Sequence, residues 1–208
     1  MSLVSVCRRL ALVASATAAA VAVSASPALA AQPASGCPAA ELTNPFLTWG
    51  DSADYQLAPG GDVEDGGTSW SLTGGADAAE GNETFNVMSA ADHLSLRLPG
   101  SSSATTARMC IGIESPSYRL FVKRSGGSSS SRLVAEVVYD DAAGNEVVVP
   151  SGTISADEDW MPSPSLPTVV NVLAPAQGNA IDMSLRFTAT GGGVWSIDDV
   201  YVDPFYGR

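Results

Sequence analysis

One lysine, one histidine and three cysteines are all that 208 residues hold of these three side chains; Lys123 and His93 are the single copies. With one imidazole and no close cysteine pair, a zinc-type Cys/His centre has no support, and a thiol nucleophile would have only His93 as an imidazole partner. Positive charge is scarce as well: 10 Lys and Arg stand against 22 Asp and Glu, for a net charge of −12. Nucleic acid and anionic membranes both need a basic footprint, so neither is an expected partner, and the acidity reads first as solubility. No Gly-x-Ser-x-Gly elbow, His-Glu-x-x-His pair or phosphate loop is present. Paired carboxylates for glycoside hydrolysis are not decided by counting, because acidic pairs occur throughout. No segment carries a convincing helical period, and past residue 30 no apolar run approaches the roughly 18 residues that suggest a membrane-spanning helix.

What is present begins with an export signal. Arg8 and Arg9 precede the apolar run Leu10 to Val23, and Ala28-Leu-Ala30 offers a small-x-small cleavage site, the layout of a secretory signal peptide over residues 1–30. Its removal leaves 178 residues and eight basic side chains, so the net charge becomes −14. The protein is therefore expected to be extracellular. Residues 31–44 are rich in Pro, Ser and Ala and read as a flexible leader; residues 45–208 read as one domain, expected to be monomeric. Cys37 and Cys110 remain in the mature chain, and an even count in an exported protein points to a disulfide between them.

From Phe46 onward short apolar segments alternate with Gly, Pro, Ser and Asp clusters. Leu94, Leu96 and Leu98 alternate with polar residues, the mark of a half-buried strand. Similar segments are expected near 55–57, 69–72, 84–87, 109–113, 118–123, 133–139, 146–149, 169–173, 183–188 and 194–202, with the serine-rich run 125–131 as a hairpin loop. So many short strands between glycine-rich turns indicate an all-β fold, an antiparallel β-sandwich of jelly-roll type whose first and last strands pair or neighbour each other. In strict alternation, Trp195, Ile197, Asp199 and Tyr201 share one face of the last strand. Asp199 is then the costly buried carboxylate, and Asp198 a surface residue of little consequence.

The segments Pro59-Gly-Gly-Asp-Val-Glu-Asp-Gly66 to Trp70 and Trp195-Ser-Ile-Asp-Asp-Val-Tyr201 resemble the opening and closing motifs of carbohydrate-binding-module-like jelly rolls of the galactose-binding type. Phe46-Leu-Thr-Trp-Gly-Asp51, Gly81-Asn-Glu-Thr-Phe85, Cys110-Ile-Gly and Ile197 to Pro204 are similar to a family of secreted actinobacterial β-sandwich proteins, a likeness that implies fold and export but no activity. The wider resemblance implies a structural calcium between opening and closing strands. By position, Glu64 and Asp199 are its side-chain ligands, with Asp62 as a third; oxygen donors of this kind suit Ca²⁺. The alternative is that Glu64 and Asp199 accept backbone N–H groups or pair with an arginine such as Arg186.

Trp70, Trp195, Phe85 and Phe187 lie in strand patterns and read as core, while Trp49 is open to either reading. Trp160 sits in the acidic, proline-bounded stretch Asp157 to Pro164; as an exposed ring it would suit a sugar, whose C–H face packs on π surfaces, and otherwise it is a lid over the core. Tyr118 and Tyr139 are candidates of the same kind. The expectation is a secreted, non-catalytic binding module for carbohydrate or a cell-surface glycan, with a structural or protein-interaction role in the envelope as the alternative. Exposed aromatics in a groove would favour the first and a flat apolar patch the second.

Overall fold

The computed structural model describes residues 36–204, so the expected signal segment, residues 31–35 and the last four residues lie outside it. Two antiparallel sheets face each other. The first contains β1 (Gln56–Leu57), β3 (Asp77–Glu80), β4 (Leu94–Leu98), β7 (Ser117–Ser125), β10 (Met161–Pro162), β11 (Leu166–Pro167) and β13 (Val194–Asp203), in the order β10-β7-β13-β4-β3, with β1 added to β13 and β11 to β7. The second contains β2 (Trp70–Thr73), β5 (Ser103–Thr106), β6 (Met109–Ile111), β8 (Arg132–Asp140), β9 (Glu146–Ile154) and β12 (Ile181–Thr190), in the order β2-β5-β12-β8-β9, with β6 added to β12. Together they form a β-sandwich of jelly-roll type. β1 pairs with β13, Gln56 opposite Val202, so the first and last strands meet as the sequence implied.

β8 and β9 form a hairpin within the second sheet, but β7 and β8 do not pair. β7 belongs to one sheet and β8 to the other, so the run 125–131 is an arch across the sandwich and not a hairpin. Leu96, Leu98, Leu120, Val122, Val137, Leu185, Phe187, Trp195 and Ile197 fill the space between the sheets, each from a face defined by alternation along its strand. Two expected strands take other forms. Residues 84–87 are a loop, and 169–173 leads into a 3₁₀ helix, Asn171–Gln177.

A second apolar cluster lies on the outer face of the first sheet. Phe46, Ala53 and Tyr55 pack there on Phe121, Trp160 and Tyr201, with the Phe46 and Phe121 rings stacked at 5.4 Å. The segment 43–55 is thus a strap. Asp51 binds Arg119 at 2.9 Å, and the Arg119 guanidinium lies 4.3 Å over the Phe46 ring. Upstream, Cys37 is joined to Cys110 of β6 by the expected disulfide.

Candidate functional site

β13 does not keep strict alternation. Its register against β7 slips between Asp198 and Tyr201, and Asp199 has φ 47°, a left-handed conformation that Asp tolerates better than most residues. Two residues are taken up where one would do, so the faces change over. Trp195 and Ile197 point between the sheets, and so do Val200 and Val202, whereas Tyr201 joins the outer cluster. The expected grouping of Trp195, Ile197, Asp199 and Tyr201 is therefore corrected. Asp198, expected at the surface, is 0% exposed, and Asp199 is 2% exposed.

The bulge has its own bonding. Asp198 accepts the N–H groups of Asp199 at 2.9 Å and Glu83 at 3.0 Å. Beyond it, the turn 58–61 docks on the strand: Ala58 N–H donates to the Val200 carbonyl at 2.8 Å and Val200 N–H to the Gly61 carbonyl at 3.1 Å. The backbones approach so closely that a side-chain carbon at Gly61 would lie 2.7 Å from the Val200 oxygen, which accounts for glycine there. Glu83, itself buried, accepts the N–H groups of Phe85 and, at 2.6 Å, Val87.

Asp62, Glu64, Glu83 and Asp92 surround Asp199 closely enough to act on its titration. Burial first, then the charges of these four residues, pushes the Asp199 carboxyl up to about 8. Burial and the neighbouring Asp199 push Asp198 up in the same way. One Asp199 carboxyl oxygen is buried without a hydrogen-bond partner among the described residues. Glu64 is otherwise engaged: it accepts the N–H groups of His93 and Leu94, both at 2.7 Å, and contacts His93 Nδ1 at 2.8 Å. Among the described residues, no three His, Cys, Asp or Glu side chains converge as a metal-holding group. In charge the nest suits a cation; the expected trio Asp62, Glu64 and Asp199 is not assembled as a ligand set. Arg186 pairs with Glu146 and not with this cluster.

Of the three candidate sugar platforms, Tyr118 and Trp160 are buried and so are corrected as exposed platforms. Tyr118 is 0% exposed, between the sheets, with its hydroxyl 2.9 Å from the Ser151 hydroxyl. Trp160 is 7% exposed, packed in the outer cluster with the Lys123 ammonium 4.7 Å from its ring. Tyr139 lies in the other sheet, partly buried against the core. These rings form no common surface. Phe85, read as core from its strand-like surroundings, is instead 42% exposed, because the Glu83 carboxylate winds residues 84–87 into a loop and turns the ring outward. Trp49 lies edge-on to it, with ring centroids 4.7 Å apart, and is 36% exposed. Asn44, Pro45, Thr48 and Val87 complete with them a cleft of about 390 Å³.

Comparison with solved structures places this architecture. The family 22 carbohydrate-binding and family 10 catalytic modules of an endo-1,4-β-D-xylanase from Clostridium thermocellum, complexed with xylohexaose, match 73% of the chain at 14% identity and a TM-score of 0.52. The chain is similar in fold to carbohydrate-binding modules. It spans 29% of that xylanase structure. A family 22 xylan-binding domain from Paenibacillus barcinonensis matches 73% of the chain and 94% of its own length, at 13% identity and a TM-score of 0.47. A family 61 module in complex with β-1,4-galactotriose matches 69% of the chain and 94% of its own length, at 17% identity and a TM-score of 0.41. No protein-family model matches the chain, and no curated protein sequence matches it. Among the described residues, no helix is long and apolar enough to cross a membrane.

Proposed function

We propose that the chain is an exported, non-catalytic module that binds carbohydrate at the Trp49–Phe85 cleft. The observation that carries this reading is the pair of half-exposed rings set edge to face at the rim of a cleft. Sugar rings present C–H faces that pack on aromatic surfaces, and the Thr48 hydroxyl lies in the same cleft to meet a sugar hydroxyl. The shared fold supports the reading, and a β-1,4-linked neutral oligosaccharide is the first ligand to try. Leu47, also exposed beside Trp49, favours protein contact as the second reading.

A glycan array followed by calorimetry tests it. Trp49→Ala and Phe85→Ala are each expected to weaken binding of the best oligosaccharide at least tenfold, the loss of about 1.4 kcal/mol, measured below the melting transition of each variant because both rings also pack on Phe121. Unchanged affinity in both variants would move the site elsewhere, and an array without hits would favour the protein-contact reading.

A structural calcium beside Asp199 belongs to the same proposal. Its support is the unpartnered buried carboxyl oxygen among acidic neighbours, since an uncompensated buried charge is costly. EDTA is then expected to lower the melting temperature and calcium to restore it, by mass action on the folded state. An unchanged melting curve, in protein shown to be calcium-loaded, removes calcium as a stabiliser.

A further inference from the structure

Seven Lys and Arg residues fall among the described residues. Four are tied to carboxylates: Arg97 to Asp77, Arg108 to Asp140, Arg119 to Asp51 and Arg186 to Glu146. Lys123 lies over the Trp160 ring. Arg124 and Arg132 form no ion pair among the described residues, in a chain where acidic residues outnumber basic ones more than two to one. Both line one cleft of about 390 Å³. It lies where the arch 125–131 crosses between the sheets.

Main-chain carbonyls fix the two cations. Arg124 Nε donates to the Ala156 carbonyl at 3.0 Å, and its Nη1 to those of Gly126 and Ser128. Arg132 Nη1 donates to the carbonyls of Ser129 and Ser131, both at 2.8 Å. No hydrogen bond engages Nη2 of either residue among the described residues. The guanidinium groups of two partly buried arginines are thus held in place with donors to spare, the arrangement that suits an oxyanion accepted by a planar fork. Ser129, Ser131 and Ser155 share the cleft. Asp157 also lines it and forms an ion pair with neither arginine.

We propose that this cleft binds the carboxylate of an acidic sugar residue within a glycan, at a site separate from the Trp49–Phe85 cleft. The choice of a sugar acid rests on the carbohydrate reading above; the anion pocket itself does not. The test is calorimetry on the purified protein with three probes: trigalacturonate, its methyl ester and inorganic phosphate. Trigalacturonate should bind, more weakly as salt rises, and the ester at least tenfold more weakly. Arg132→Gln should lower trigalacturonate affinity at least tenfold and leave binding at Trp49 and Phe85 intact. Arg124→Lys, which keeps the charge and loses the fork, should give an intermediate loss and serves where Arg132→Gln fails to fold. Equal binding of acid and ester, affinity unchanged in both variants, or phosphate binding as tightly as trigalacturonate would each overturn the assignment. Trigalacturonate binding lost in Trp49→Ala and kept in both arginine variants would overturn this site while leaving the carbohydrate reading standing.

Discussion

Asp198→Ala is expected to lower the urea midpoint by the equivalent of about 3 kcal/mol at pH 4, and Asp199→Asn to change it little at that pH in EDTA. The two residues are adjacent and equally buried, but their bonding differs. Removing the Asp198 carboxylate leaves the N–H groups of Glu83 and Asp199 without their acceptor, and each buried unsatisfied group costs about 1–3 kcal/mol. Asp199 has a carboxyl oxygen with no partner to lose. Asparagine keeps its volume and tolerates the left-handed backbone, which alanine does not. An Asp198→Ala midpoint within about 0.5 kcal/mol of the parent, the range of surface substitutions, would show that the bulge does not depend on that carboxylate.

The same pair sets a pH dependence. Both carboxyls are pushed up when folded, Asp199 to about 8, while in the unfolded chain they titrate near 3.9. Between these limits the folded protein holds protons that the unfolded chain has released. Stability therefore falls as pH rises, by up to about 1.4 kcal/mol per unit for each group. In EDTA the melting temperature should decline from pH 5 to pH 8. Calcium should restore more at pH 8 than at pH 5, because a cation and a proton compete for one carboxylate. A flat profile in EDTA would mean that the pair is solvated in solution.

Reduction of the disulfide is the other large effect. Cys37 and Cys110 lie 73 residues apart, and closing so long a loop removes unfolded-state entropy worth roughly 4 kcal/mol. Cys37→Ser/Cys110→Ser is expected to lose stability of that order, read from urea unfolding with m fitted for each form, because the uncrosslinked denatured chain exposes more surface and raises m. Reduced wild type should match the double variant, and dithiothreitol should not affect the variant further. A double variant as stable as the oxidised parent would show that the strap 43–55 holds the N-terminal segment without help.

The sandwich was legible because its signals are local and repetitive. Leu94, Leu96 and Leu98 declare a face, and the β-branched run ending at Val202 declares a strand that pairs with the first. Where the reading failed, one side chain or one distant partner outweighed local pattern. Phe85 and Val87 alternate like a strand, but Glu83 captures both their amides. Ser103–Thr106 carries no apolar signal and is a strand because β2 and β12 flank it. The bulge had a visible cue, two adjacent aspartates inside a buried strand, and strict alternation misplaced Asp198. The arginine cleft had none, since Arg124 and Arg132 meet only through the arch between sheets.

The disulfide also governs how the protein would carry load. A chain pulled from its two ends delivers force at Cys37 directly into β6, bypassing the strap and every strand up to Cys110. That covalent short cut shields the intervening stretch from tension, so β2 to β5 do not peel from the amino-terminal side. Some 73 residues of contour, about 250 Å when extended, stay hidden until the bond is reduced, and the thiol–disulfide state becomes a setting for how far the tethered module can stretch.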